Sequence, residues 1–296
     1  MNVRTPLHWI GGKGRLVAKF LPLLPSHNHY VEPFGGGGSV LIAKKPCRGN
    51  ETFNDLSKAL VDFFRVLSDE QTFEKFYRRV APLPCSRDIY NDARETWEQT
   101  EDRVERVAKW FVVARQSFGG IFGCSWGTVT ESPKGSWTGS WISTLQMLPG
   151  LHARLQLVQI ENDDYRTVLK RYNGAGYLAY CDPPYVTDTR VTETVYDHEM
   201  TNKDHRELVS MLLEYDGAVV LSGYRHRVYQ PLEDAGWERL DIETCCAAAG
   251  RTAGSGLKGK GASLKKQPRT ECVWRNPIAL RRVHSRRGGF FEQGMK

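Results

Sequence analysis

Two kinds of patterning share this chain. Toward both ends, short apolar runs alternate with stretches of helical spacing, the pattern of an α/β sheet. Residues 29–34 are predicted as a strand that runs into glycines, and residues 40–44 begin a helix. Residues 52–53 end a second short strand at Asn54-Asp55. Leu56, Leu60, Phe63, Phe64 and Leu67 recur at helical spacing and predict a helix over 56–67. In the second half, residues 177–181 and 218–222 are apolar strands, 237–242 alternates like a half-exposed one, and 271–274 is the last. Thr201 and Asp204 form a capping-box pair that opens a helix through about residue 214.

The middle reads differently. Residues 70–118 are charged and helical in pattern, whereas 118–141 is rich in Gly, Ser, Thr and aromatic residues and reads as loop. The organisation expected is therefore an α/β domain over 1–68 and 149–296, interrupted by a mainly helical insertion over 69–148. Residues 247–268 carry almost no large apolar side chain and are expected to form a mobile loop before the last strand. No apolar run approaches the roughly 18 residues of a membrane span. The N-terminal 14 residues lack the apolar core of a signal peptide, so a cytoplasmic location is expected.

Charge adds a partner to this picture. The 296 residues carry a net +7, unevenly placed. Residues 150–250 hold 10 basic and 17 acidic side chains, whereas 251–296 hold 12 basic and 2 acidic ones. A nearly all-basic segment points to a polyanion, the alternative being a solvated basic tail. The seven Cys are odd in number and without repeated spacing, which argues against a disulfide framework. They form no CxxC pair and no cluster with the eight His, so no metal is expected.

Two segments carry candidate chemistry. The run Glu32-Pro33-Phe34-Gly35-Gly36-Gly37-Gly38-Ser39 lies between a strand and an apolar helix, where glycines let the backbone approach a ligand. Asp55 follows Gly36 by 19 residues, the place of a ribose-binding acid in nucleotide-binding α/β folds. The competing reading is a tight turn plus a surface Asp. No Lys-Ser/Thr follows the glycines, so this is not a Walker loop. The second segment, Asp182-Pro183-Pro184-Tyr185, directly follows a strand. Two prolines remove two N–H donors and stiffen the turn. Asp182 and the Pro183 carbonyl become fixed acceptors and Tyr185 an aromatic plate, a set suited to a planar ring bearing an amine. A merely structural Pro-Pro turn is the alternative.

These segments resemble motifs I and IV of DNA adenine methyltransferases of the Dam type. Leu7-His8-Trp9-Ile10-Gly11-Gly12-Lys13 is similar to that family's opening motif, and Phe53-Asn54-Asp55 resembles its acidic second motif. Their order matches the subclass whose target-recognition domain lies between the glycine loop and the tetrapeptide. The resemblance implies a Rossmann-like methyltransferase sheet with S-adenosylmethionine as cofactor. Double-stranded DNA would be the partner, with transfer to adenine N6 after base flipping. It implies cofactor contacts from Trp9 and Lys13, a methionine pocket shaped by Phe34, Gly35 and Gly37, an adenosine contact from Asp55, and Asp182 where cofactor and base meet. Asp182, Pro183 and Tyr185 would be the catalytic set. Arg115, Ser117 and Lys134 of the insertion, with Arg251, Lys258 and Lys260 of the basic segment, are the expected DNA contacts, and a monomer is expected.

One stretch departs from the family. GATC-specific members carry Ser-Phe-Asn-Gly followed by Arg-Tyr-Asn. Here Ser117-Phe118-Gly119-Gly120 has Gly119 in place of the Asn, and no Arg-Tyr-Asn follows, so the GATC signature is absent. His27-Asn28-His29 spells HNH without the further ligands of a nuclease site. Pro46-Cys47 and Pro84-Cys85 do not follow a strand where a cytosine C5 nucleophile would. The alternatives that remain are an N4-cytosine or RNA amine methyltransferase, of which the N4-cytosine enzymes more often carry Ser at the Asp182 position, and a catalytically silent DNA-binding relative.

The basic segment generates a salt-dependence test. Each phosphate neutralised contributes about 0.9 to the slope of log affinity against log salt. Replacing Lys258, Lys260, Lys265 and Lys266 by Ala should lower that slope by up to about 3–4 units and leave site preference unchanged. An unchanged slope in filter-binding titrations would reduce the segment to a solubilising surface.

Overall fold

In the computed structural model of the chain, residues 4–9, 12–127, 136–186, 199–245 and 268–288 are described. They belong to two compact units. One, here the sheet unit, gathers residues 13–58, 157–243 and 270–296; the other, the helical unit, gathers 1–12, 59–156 and 244–269.

The sheet unit is built on seven strands: β1 (His29–Glu32), β2 (Glu51–Asn54), β3 (Val158–Glu161), β4 (Tyr177–Cys181), β5 (Ala218–Gly223), β6 (Glu238–Cys245) and β7 (Pro268–Arg275). Their order is β3-β2-β1-β4-β5-β7-β6. β1 to β5 pair in parallel, with Tyr30 opposite Leu178 and Tyr180 opposite Val220, whereas β7 runs antiparallel to β5. The central strands are buried along nearly their whole length, as a sheet covered on both faces requires. This explains their unbroken apolar runs and short length. Residue Asn276, just past β7, exchanges backbone hydrogen bonds with Val219 through its amide and side chain and donates to the Gly217 carbonyl. It thereby fixes the antiparallel strand to the parallel ones.

The predicted elements mostly recur with shifted ends. The helix predicted over 56–67 is Lys58–Ser68, and the capping box at Thr201 opens helix Asn202–Leu213, with both reciprocal bonds formed. Edge strand β3, helix Tyr165–Arg171, helix Pro277–Gly288 and the short helices Val17–Phe20 and Gln230–Asp234 were not anticipated. β7 spans Pro268–Arg275; it starts before the 271–274 run marked by apolar pattern and matches the final strand from Pro268 to Trp274 that the family resemblance implied. The rest of the loop expected over 247–268 lies outside the described residues.

The helical unit packs Glu70–Val80, Arg87–Thr96, Arg103–Gln116 and Trp137–Leu155 around a cluster of aromatic rings. The Phe111 ring lies 5.4 Å from Phe63, 5.6 Å from Phe76 and 5.6 Å from Trp141. Asp69, Asp102 and Ser136 cap three of these helices by accepting the backbone N–H of Thr72, Glu105 and Gly139. The last cap corrects the loop expected through residue 141, because the helix already begins at Trp137. Its polar first turn hides the periodicity of Trp141, Leu145, Leu148, Leu151 and Leu155, which are buried. Among the described residues no helix is long and apolar enough to cross a membrane.

Beneath the glycine loop lies a buried polar chain. Tyr30 donates from its hydroxyl to Glu32 Oε1 at 2.5 Å, while Lys44 pairs with Glu51 and sits 4.4 Å over the Tyr30 ring. Burial raises the Glu32 carboxyl to a pKa of about 8, against the lowering influence of the Tyr30 hydroxyl and the Leu41 backbone. Its folded pKa exceeds the unfolded one, so the protonated carboxyl favours the fold. That contribution is complete below pH about 4.5 and is lost as pH rises through about 8. In Glu32→Gln, this loss should vanish. Urea unfolding from pH 5 to 8 should show wild-type stability declining relative to the variant; parallel curves would place the Glu32 proton elsewhere.

Candidate active site

Strand order reverses between β1 and β4. From β1 the chain moves to β2 and β3 on one side, and from β4 to β5 on the other. At such a reversal the loops leaving the carboxyl ends diverge and open a crevice. The two loops that leave there are the glycine run after Glu32 and the Asp182 turn after Cys181.

Close contacts fix the glycine loop. A Cβ on Gly35 would lie 2.1 Å from the Phe53 ring, so only glycine fits. Gly36 and Gly38 hold φ of 48° and 64°, the left-handed region. The Gly35 N–H donates to the Asn54 carbonyl at 2.7 Å, and the Gly36 N–H donates to Asp55 Oδ2 at 2.8 Å. Asp55 Oδ1 also accepts from the Ser57 N–H at 2.9 Å. Asn54 ties three strand ends together. Its Nδ2 donates to the carbonyls of Pro33 and Asp163, and its Oδ1 accepts from the Asp163 N–H. The half-buried Phe34 ring leans on Tyr165 at 5.0 Å, and Gly37 is buried.

The Asp182 turn meets Lys13. The Lys13 ammonium, 4 % exposed, reaches Asp182 Oδ1 at 2.5 Å and Oδ2 at 2.7 Å, and donates to the Tyr185 hydroxyl at 2.5 Å. Asp182, 18 % exposed, accepts a further bond from Ser222 Oγ at 2.8 Å, and Ser222 lies 3.2 Å from the Tyr180 hydroxyl. The Tyr185 hydroxyl donates to Glu271 on β7, whose Oε1 lies 3.3 Å from Lys13 Nζ. Burial raises the Glu271 carboxyl above its ordinary pKa, and Lys13 pulls it back down. Pro183 is buried beside this cluster in sequence.

Tyr185 differs from the open plate expected of it. It is 7 % exposed, with Lys13 4.8 Å above its ring and the Tyr224 ring at 4.4 Å. The Tyr224 ring and the Lys13 ammonium already lie against the ring on which a base would stack. Its hydroxyl serves here as a link between Lys13 and Glu271.

The remaining described candidates belong to the helical unit. Trp9 is part of the helical unit, where its carbonyl accepts from the Gly12 N–H at 3.0 Å. Arg115 and Ser117 are interior residues of that unit, at 7 % and 0 % exposure. Arg115 donates to Thr144 Oγ1 at 2.7 Å, and burial lowers its guanidinium to a pKa of about 10. The Ser117 hydroxyl bonds the Val113 carbonyl, the Tyr90 hydroxyl and the Gly123 N–H. This corrects the expected DNA-facing side: both side chains are buried and bond within the unit, Arg115 through Nη2. Lys134, Arg251, Lys258 and Lys260 lie outside the described residues. Among those described, no group of His, Cys, Asp or Glu could hold a metal ion.

Sequence reading missed Glu271, Ser222, Tyr224 and the clamp of Asn54. Glu271 did carry a signal, being one of two acidic residues among 251–296 and standing at the head of an apolar strand. The contacts of Ser222 and Tyr224 depend on strand pairing and carry no local mark.

A profile of the D12 class N6 adenine-specific DNA methyltransferases matches residues 9–231, which takes in Lys13, the glycine loop, Asp55 and the Asp182 turn. The chain is 25% identical over 207 residues to type II methyltransferase M1.LlaDCHI of Lactococcus lactis subsp. cremoris, covering 67% of this chain and 72% of the relative. It is 26% identical over 189 residues to a DNA adenine methylase of Vibrio cholerae, covering 62% of this chain and 65% of the relative, slightly under two thirds. Type II methyltransferase M.MjaIII of Methanocaldococcus jannaschii is 24% identical over 229 residues, covering 67% and 75% respectively. A reversed parallel sheet, a glycine loop at its switch point and an acid fixed beside it thus coincide with a family match over most of the chain. The chain belongs to the D12 class of N6 adenine-specific DNA methyltransferases, enzymes that take their methyl group from S-adenosylmethionine.

Proposed function

We propose that this enzyme methylates adenine at one short sequence of double-stranded DNA, taking the base out of the helix and presenting its N6 amine to Asp182. One observation carries this reading: the Asp182 carboxylate, held by Lys13 and Ser222, stands at the switch point next to the strand that leads into the glycine loop.

The residues present fit the cofactor. Gly35 leaves no room for a side chain against Phe53, so the loop backbone itself forms the wall, and Phe34 and Gly37 would complete it around the methionine part. Asp55 is the acceptor for ribose hydroxyls. An ionised carboxylate offers about four acceptor positions, so its bonds to Gly36 and Ser57 are compatible with that role. Bound there, S-adenosylmethionine supplies an electrophilic methyl on a leaving group that is already activated.

Everything else is done by the chain. Asp182 accepts an N–H of the amine and, with the Pro183 carbonyl, stabilises the positive charge that develops on N6. Ser222 and Lys13 keep the carboxylate in one orientation, which is what alignment of nucleophile and methyl requires; such alignment is worth up to roughly 7–11 kcal/mol. Extruding the base costs a few kcal/mol. With Tyr185 covered by Tyr224, stacking returns little of that, and phosphate contacts must supply the binding. These we assign to the basic segment containing Arg251, Lys258 and Lys260, and sequence reading to the helical unit. The enzyme is taken to act as a monomer in the cytoplasm.

Labelled-methyl transfer onto unmethylated genomic DNA, followed by sequencing of modified bases, tests the activity and gives its site. Asp182→Ala should lower the transfer rate by roughly 100- to 1000-fold with an unchanged circular dichroism spectrum. Near wild-type transfer by that variant would remove Asp182 from the mechanism.

Asp55→Ala should weaken S-adenosylmethionine binding about 10- to 150-fold in calorimetry, since a hydrogen bond accepted by a charged group is worth about 1.5–3 kcal/mol. DNA affinity should stay within about twofold. Equal losses for both ligands would make Asp55 a loop anchor only.

A further inference from the structure

Lys13 makes more contacts than its charge can serve at once. An ammonium has three N–H donors. Asp182 Oδ1, Asp182 Oδ2 and the Tyr185 hydroxyl account for three, at 2.5, 2.7 and 2.5 Å. A second carboxylate, Glu271, nevertheless stands 3.3 Å from the same nitrogen and accepts the Tyr185 hydroxyl. Both partners of Lys13 are anions in a mostly buried cluster, and a single cation lies between them.

Asp182 cannot hold Lys13 with both oxygens and also receive an amine N–H in the same positions. Its Oδ1 already accepts from Lys13 and Ser222, and its Oδ2 from Lys13. These three bonds leave about one of the carboxylate's four acceptor positions, on Oδ2, so a base amine that docks on Asp182 shares that oxygen with the ammonium and competes with it there. Moved toward solvent, a buried ammonium would leave Glu271 uncompensated; moved toward Glu271, it stays paired and keeps its bond to Tyr185.

We propose that Glu271 is a positioning residue that acts through Lys13: it is the second seat that takes the ammonium when the target base amine occupies Asp182. The inference rests on the reading of Asp182 as the amine acceptor. Its place in the fold suits the task. Glu271 lies on the antiparallel strand β7, whose partner β5 supplies Ser222 and leads into Tyr224. The same two strands therefore hold Asp182 on one side of Lys13 and the second carboxylate on the other. The Tyr185 ring, pinned by Tyr224, gives the ammonium a fixed path between them.

The test uses Glu271→Gln in the full-length enzyme. The amide has nearly the same shape and still accepts the Tyr185 hydroxyl, but gives Lys13 no counter-charge. Duplexes carry either adenine or purine, which lacks the 6-amine, at the methylated position, and binding is measured with S-adenosylhomocysteine present. The variant should bind adenine DNA about 10- to 100-fold more weakly than wild type and purine DNA equally well, since purine does not compete for Asp182. In steady state its kcat should fall while KM for S-adenosylmethionine stays within about twofold. Equal weakening on both duplexes, or none on either, overturns the inference and makes Glu271 part of the scaffold. The Asp182→Ala variant separates the two levels: if it keeps methylating, the amine-acceptor reading itself fails, whereas its inactivity beside an unaffected Glu271→Gln sinks only the second seat.

Discussion

A carboxylate with little access to water must share its charge, and in this enzyme the sharing is done by Lys13. Its ammonium joins the opening segment of the chain to the turn after β4 and to β7, three stretches more than 80 residues apart in sequence. Removing one partner of a buried pair costs far more than the pair itself contributes, because the survivor is left uncompensated. The position of Asp182 is thus set by a residue that folds around it from the far end of the chain, as well as by its own rigid turn. The Pro-Pro sequence limits how the turn can bend; Lys13 and Ser222 decide where the carboxylate points.

Around that contact the sheet supplies geometry at low cost. Five parallel strands whose order reverses at β1 and β4 open a crevice without any special residue. What the residues add is closeness. Asn54 draws the ends of β1, β2 and the loop after β3 together through side-chain bonds to Pro33 and Asp163, and Asp55 holds the Gly36 amide. The glycine loop is consequently a rigid surface, held from below by an aromatic ring and from the side by two adjacent polar residues.

Much of this was legible in the sequence where local chemistry and periodicity agree. The β4 strand was marked by its apolar run and its stop at Asp182, and helix Asn202–Leu213 by its capping box. The glycine loop and Asp55 were marked by spacing alone. β3 escaped notice because an edge strand of four residues, mostly half exposed, has no room to show a period. Helix Trp137–Leu155 was masked by its Ser- and Gly-containing first turn. Exposure is the quantity that sequence conveys least: Arg115 and Tyr185 look like surface chemistry by type, yet hydrogen bonds to Thr144 in one case and to Glu271 in the other draw them inside. Glu271 and Ser222 matter through contacts with residues distant in sequence, and no window of sequence contains both ends of such a contact.

The contact between Gly35 and Phe53 has a consequence for how such enzymes can diverge. With 2.1 Å available, position 35 cannot gain a methyl group while position 53 keeps its ring, and shrinking the ring alone would leave a void under the loop. The two positions are one steric unit, and mutational drift should move them together or leave both alone. Viable descendants are therefore expected to fall into discrete pairings of small-over-large and large-over-small, with the intermediate combinations depleted.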